Sequence, residues 1–195
     1  MLTTPIFLQA ITHRSTVNGP GSRSVVHFQG CTIGCKGCFN VHTWKHKSTE
    51  ATTVKLVINE VLEADSDITI SGGEPLEQMP ALMKLLHGFR RRAPEKTVVL
   101  FTGFTTEVLR KYGILGFLQL AGVDLVIAGP FVLEKRVTES LRGSSNQELL
   151  FLSDRIKPED IQKRSIEVMI TPDGQLTMSG FPSKKLTTAI RREGI

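Results

Sequence analysis

The feature that most limits how this chain can fold is one loop, Gly30-Cys31-Thr32-Ile33-Gly34-Cys35-Lys36-Gly37-Cys38-Phe39-Asn40, which carries all three cysteines of the 195-residue sequence. The thiols are spaced C-x3-C-x2-C, and no fourth cysteine exists to complete an all-thiolate, four-ligand site. Spacers this short let one loop wrap its sulfurs around a single centre, and Gly30, Gly34 and Gly37 supply the permissive backbone for it. A structural zinc site closes with four protein ligands, and an ordinary iron–sulfur cluster takes four cysteines. Three ligands therefore point to a cluster with one iron left open for an exogenous group. Two other readings stay open here. Zinc could take the three cysteines with His27, His42 or His46 as the fourth ligand. A disulfide plus a free thiol would have to close a very small loop.

Composition bounds the setting. Hydrophobic residues make up 40% of the chain and charged residues 22%, the profile of an ordinary soluble globular protein. The length suits one domain, taken as residues 1–195, with a substantial core. Met1-Leu2-Thr3-Thr4-Pro5-Ile6-Phe7 lacks the basic region and long apolar run of a secretory signal. No apolar run reaches transmembrane length, so no membrane role is expected. The expected location is the cytoplasm, where thiols stay reduced and can hold metal. The formal charge of +5 and the pI of about 9.3 are moderately basic. Arg90-Arg91-Arg92 and Lys184-Lys185 read first as solvated helix ends and second as a surface for an acidic protein. Nucleic acid is not expected, because no aromatics interleave with the basic residues.

Along the chain, a polar opening leads to a turn at Val17-Asn18-Gly19-Pro20-Gly21-Ser22. Ser24 to Gln29 has strand character and runs directly into the cysteine loop. Thr52-Thr53 can cap a helix whose Val54, Val57, Ile58, Val61 and Leu62 fall on one face. Asp67 to Ile70 reads as a strand ending in the tight turn Ser71-Gly72-Gly73-Glu74-Pro75. A helix from about Pro80 presents Leu82, Leu85, Leu86 and Phe89 and stops at Arg90 to Pro94. Thr97 to Phe101 and Asp124 to Ile127 are further strands, with a helix through Val108 and Leu109 between them. This alternation argues for parallel βα units, with the cysteine loop, the Gly-Gly-Glu turn and the Thr102-Gly103 turn on one rim. Near the end, Ser165 to Ile170 and Leu176 to Met178 flank Pro172-Asp173-Gly174, a hairpin signal.

Taken together, these motifs resemble the radical S-adenosylmethionine enzymes. Cys31, Cys35 and Cys38, followed two units later by Gly72-Gly73-Glu74-Pro75, match that superfamily's pair of motifs in the expected order. The resemblance narrows to the activating proteins of anaerobic ribonucleotide reductases. It does so through Asn18-Gly19-Pro20-Gly21, Gln29-Gly30-Cys31, Cys38-Phe39-Asn40 with Thr43-Trp44, and Phe101-Thr102-Gly103-Phe104. Gly129-Pro130-Phe131, Arg142-Gly143-Ser144-Ser145-Asn146-Gln147 and Gly180-Phe181-Pro182 extend it. The pattern departs at Asn18, where the family usually has Asp, and at Ala128, where an acidic residue is common.

The resemblance implies an α/β fold, a partial parallel (β/α) barrel of the radical-SAM type, with a C-terminal β-hairpin. It implies one 4Fe-4S cluster held by Cys31, Cys35 and Cys38, whose open iron is chelated by S-adenosylmethionine. Gly72, Gly73, Glu74, Thr102 and Asn146 become the cofactor-binding candidates, with Glu74 accepting hydrogen bonds from the cofactor's amino group. The implied activity is an oxidoreductase one: reductive cleavage to a 5′-deoxyadenosyl radical, which generates a glycyl radical on a partner enzyme. That partner is expected to be anaerobic ribonucleoside-triphosphate reductase, with a flavodoxin or ferredoxin as electron donor. Two alternatives remain: a compact radical enzyme acting on a deazapurine-type small molecule, and a non-catalytic metal-binding interaction protein. His27, Phe39 and Trp44 read as packing residues.

Overall fold

The computed structural model describes residues 3–46, 51–137, 141–161, 166–170 and 176–180. Its centre is a seven-stranded sheet in the order β3-β1-β2-β4-β5-β6-β7. The expected parallel units form its middle: β2 (Arg23–Phe28), β4 (Asp67–Gly72), β5 (Val98–Thr102) and β6 (Leu125–Ala128) pair in parallel, one beside the next. Helices α1 (Val54–Glu63) and α2 (Met79–Arg92) flank β4, and α3 (Thr106–Lys111) and α4 (Ile114–Leu120) join β5 to β6. Helical crossovers of this kind cover a parallel sheet, and the strands at its middle are accordingly mostly buried.

Three strands lie outside the sequence reading. The opening is not merely polar: β1 (Pro5–Ser15) pairs antiparallel with β2 and also with the short edge strand β3 (Ala51–Thr53). At the other edge β7 (Glu148–Phe151) runs antiparallel to β6. The order is open, with β3 and β7 as edges and no pairing between them, so the barrel is incomplete. The expected hairpin is present as β8 (Ile166–Ile170) and β9 (Leu176–Gly180), a separate two-stranded sheet. Its turn Pro172-Asp173-Gly174, Phe181-Pro182 and the basic Lys184-Lys185 lie outside the described residues.

The periodicities behave as read. Thr53 caps α1, its hydroxyl accepting from the Leu56 N–H at 3.4 Å. Val57, Ile58 and Val61 of α1 meet Leu82, Leu85, Leu86 and Phe89 of α2 in one buried cluster over the sheet. Each such side chain contributes about 1.5–3 kcal/mol by leaving water. The opposite face is thinner: Val99, Leu125 and Ile127 pack with Leu141 and Ile156. Arg90 is more than a solvated helix end, since it donates to the carbonyl of Gly122 and to the Asp124 carboxylate. No helix among the described residues is long and apolar enough to cross a membrane.

Below the strands' N-terminal ends, the Val17–Ser22 turn folds under the sheet. There Arg23, fully buried, donates from all three guanidinium nitrogens: Nε to Thr69 Oγ1, Nη1 to Pro20 O and Thr97 Oγ1, and Nη2 to Ile68 O and Thr97 O. Asp67 lies 3.6 Å from the same group. The floor is closed by the chain itself.

Candidate functional site

At the opposite end of the sheet, each parallel strand delivers a loop to one cleft of about 400 Å³. β2 brings His27 and leads into Cys31, Cys35 and Cys38. β4 brings Ser71 and the Gly72-Gly73-Glu74 turn, and β5 brings Phe101 and Thr102. Gly129 and Phe131 follow β6, and Gly143 and Gln147 come from the polar loop before β7. This is the carboxyl end of the strands, where parallel folds place their ligands because the loops are free to vary there.

The cysteine loop is closed by backbone bonds at its base. Gly30 N donates to Thr43 O at 2.7 Å, and Cys31 N to Trp44 O at 3.1 Å. Gln29, buried beneath, donates from Nε2 to the carbonyl oxygens of Lys45 and His42, which draws the returning segment in. Sequence reasoning used Gln29 only as part of a motif and gave it no brace role; a lone glutamine before Gly-Cys carries no such signal. The three thiols are half-buried and all face the cleft. Burial pushes the Cys31 and Cys35 thiols up, and the neighbouring Cys38 adds to the rise at Cys35. Thiolates gathered here therefore need a cation to sustain them, as ligating sulfurs do.

The glycines of the second motif have a reason that the sequence did not reveal. Gly72 has φ +101°, and a Cβ there would overlap the Phe28 backbone; one at Gly73 would overlap the Gly30 carbonyl. Their first task is to let the end of β4 lie against the end of β2, not only to approach a ligand. Gly73 N donates to Phe28 O and Glu74 N to Gly30 O, both at 2.8 Å, so the turn and the cysteine loop move as one piece.

Glu74 extends that piece to β5. Its Oε1 accepts from Leu76 N at 3.0 Å and from the Thr102 hydroxyl at 2.9 Å, and its Oε2 accepts from Gly103 N at 2.7 Å. Burial raises its carboxyl to about 7 despite these three donors. No cation pairs with it among the described residues, so it is a buried acceptor facing the cleft with its charge uncompensated. Thr102 also accepts from Phe104 N at 3.2 Å and so serves the turn as well as the cleft. Asn146 is placed differently from the other candidates. It does not line the cleft; its Nδ2 donates to Pro130 O at 2.9 Å, while Gln147 beside it faces the cleft and donates to Gly129 O.

The aromatic and histidine readings gain detail. Phe39 packs against Phe131 with ring centroids 5.4 Å apart, and the Arg136 guanidinium lies 4.5 Å over its ring. His27 lines the cleft, its Nε2 3.3 Å from Thr12 Oγ1, and burial followed by repulsion from His42 lowers it to about 4. It is a neutral wall group at physiological pH. His46 sits 3.3 Å from Glu77. Among the described residues, no three His, Cys, Asp or Glu side chains gather closely enough to hold a single ion.

Comparison with known proteins decides between these readings. The family described as "4Fe-4S single cluster domain" matches residues 17–150. The chain belongs to this family. The anaerobic ribonucleoside-triphosphate reductase-activating protein of Escherichia coli (strain K12) is 33% identical over 143 residues, covering 67% of this chain and 89% of that one. The protein of the same name from Enterobacteria phage T4 is 29% identical over 150 residues, covering 74% and 93%. The pyruvate formate-lyase-activating enzyme of Staphylococcus aureus (strain USA300) is 40% identical over 86 residues, covering 40% of this chain and 34% of that one. Family members are radical S-adenosylmethionine enzymes, and the cofactors are one 4Fe-4S cluster and S-adenosylmethionine. The donor set fits them: three thiols on one loop, no fourth cysteine in the sequence, and a buried carboxyl facing the same cleft.

Proposed function

We propose that this chain generates a glycyl radical on anaerobic ribonucleoside-triphosphate reductase. The observation that carries the reading is convergence: Cys31, Cys35, Cys38, the Gly72-Gly73-Glu74 turn and Thr102 all line one cleft although they come from three strands. Cys31, Cys35 and Cys38 would each bind one iron of the cluster. When bound, the cluster supplies one electron to S-adenosylmethionine, whose carbon–sulfur bond breaks so that a hydrogen atom can be drawn from the partner's glycine α-carbon.

This chain's own residues then bind, orient and exclude water. Glu74 is the acceptor for the cofactor's cationic amino group, its carboxylate already aimed by the Thr102 hydroxyl and the Gly103 N–H. A cation there would restore the charged form that burial opposes. Gly72 and Gly73 hold this acceptor at a fixed distance from the cysteine loop. Asn146 acts one step back, fixing the Pro130 carbonyl and with it the Phe131 wall. A flavodoxin or ferredoxin delivers the electron in the cytoplasm. The exposed Lys36 of the cysteine loop and Lys45 of the segment bonded to its base favour such a carrier by their charge.

The test is anaerobic reconstitution with iron and sulfide, reduction, and incubation with S-adenosylmethionine and the reductase. Electron paramagnetic resonance should then show a glycyl-type doublet on the partner. Cofactor cleavage without any partner radical would transfer the assignment to the small-molecule alternative.

A further inference from the structure

The β8–β9 hairpin turns its two faces to different surroundings. Glu167 Oε2 accepts from Thr16 N at 2.9 Å, and Ser179 Oγ accepts from Asn18 Nδ2 at 2.6 Å. These residues, on one face, fasten the hairpin to the turn beneath β2. Val168 and Ile170 alternate with Glu167 and so belong to the other face. Met178 pairs directly with Val168 across the ladder. The three are 54%, 73% and 39% exposed. Three large apolar side chains on one two-stranded ribbon form a patch that water disfavours. Met178 also lines the cleft, so the patch continues into the proposed reaction site through that side chain.

We propose that this face receives the glycine-bearing loop of the partner enzyme. The inference rests on the proposed function and names the surface that function uses. A glycine α-carbon has no side chain to extend, so the partner's main chain must itself enter the cleft for a hydrogen atom to be taken. Residues flanking the glycine must then lie against whatever borders the mouth. The hairpin offers an apolar bed for alternate side chains of an extended segment. Within the described residues β8 and β9 pair only with each other. α4 provides an internal contrast. Phe117 and Leu120 are 60% and 84% exposed, yet neither lines the cleft, so nothing connects them to the reaction site.

The experiment compares the reconstituted full chain with V168D/I170D, with the milder V168T/I170T, which keeps the β-branched preference for strand, and with L120D as a control. Cleavage of S-adenosylmethionine by reduced protein without partner reports that fold and cofactor site survive. Radical yield on the full-length reductase reports docking. Both hairpin variants should cleave the cofactor at the wild-type rate. V168D/I170D should lose at least about tenfold in glycyl radical at limiting partner, recovering as partner is raised, and V168T/I170T should lose less, because the patch binds through apolar area. L120D should behave as wild type. Equal radical yield from wild type and V168D/I170D overturns the inference. So does a change in oligomeric state with radical transfer retained, because the face would then belong to a second copy. If the wild type itself places no radical on the reductase, the proposed function fails and the inference falls with it, a result distinct from a variant-specific loss.

Discussion

At the N-terminal ends of the parallel strands, the buried Arg23 spends all three nitrogens on the chain's own oxygens. At the C-terminal ends, the equally buried Glu74 has three donors but, among the described residues, no cation beside it, and burial raises its carboxyl to about 7. Both are ionisable groups removed from water, and each would be costly if left alone. The difference is who completes them. The floor is finished by folding, so its groups act on stability. On the proposed reading the rim is finished by a ligand, so its thiols and Glu74 act first on binding and chemistry, while Gly72 and Gly73 also serve the packing of β4 on β2.

That comparison breaks most visibly at the thiols. Changing any one of Cys31, Cys35 or Cys38 to Ala should remove the cluster and lower cofactor cleavage by at least about a thousandfold, the scale of losing a reacting group. Iron and sulfide analysis with a cleavage assay checks this, and the urea midpoint of the cluster-free protein should not move. Retained cluster in the triple variant would sink the ligand assignment. Next in size is Arg23→Met, which removes the cation beside Asp67 and the side-chain donors to Pro20 O, Ile68 O, Thr97 O and the Thr69 and Thr97 hydroxyls. It should cost about 2–4 kcal/mol in denaturant unfolding, the scale of losing several buried donors at once, with cleavage per folded molecule unchanged. Equal damage to both readouts would mean that the two ends are not separable.

A smaller effect is expected from Gly73→Ala. The added methyl meets the Gly30 carbonyl, so the turn must move away from the cysteine loop. A displacement near 1 Å typically costs about a hundredfold in rate. Single-turnover cleavage should fall on that scale while iron content persists; simultaneous loss of iron would show that the turn also holds the loop together.

The smallest signal is a pH slope. Glu74 is raised from 4.5 to about 7, so folding takes up a proton between those values. The stability that this group contributes is complete below pH 4.5 and is lost as pH rises towards 7. His27, lowered from 6.5 to about 4, runs the opposite way: its contribution is complete above 6.5 and is lost on acidification towards 4. Glu74→Gln should remove only the first slope, which approaches about 1.4 kcal/mol per pH unit at its steepest. Urea unfolding of the cluster-free protein across that window measures it, and an unchanged slope would show that Glu74 does not carry the proton.

What the sequence determined by itself is what short-range geometry decides. The cysteine spacing forces three thiols onto one loop, and the 3.6-residue pattern of Val54 to Val61 and of Leu82 to Phe89 marks the core faces of α1 and α2. The alternation of strand, turn and helix implies a parallel sheet, and therefore a rim. The edge strands β3 and β7, and β1 one place in from the edge, escaped notice because a half-exposed strand is defined by its neighbours and not by its own pattern. Tertiary structure alone decided which groups meet. The bond from Thr102 to Glu74 spans 28 residues, and that from Arg23 to Thr97 spans 74. The closeness that demands Gly73 is to a carbonyl more than forty positions earlier. Asn146 belongs to the Pro130 wall and not to the cleft lining for the same reason. Local sequence restricts φ, ψ and hydrophobic period, but the register of one strand against another fixes which buried donor finds which acceptor.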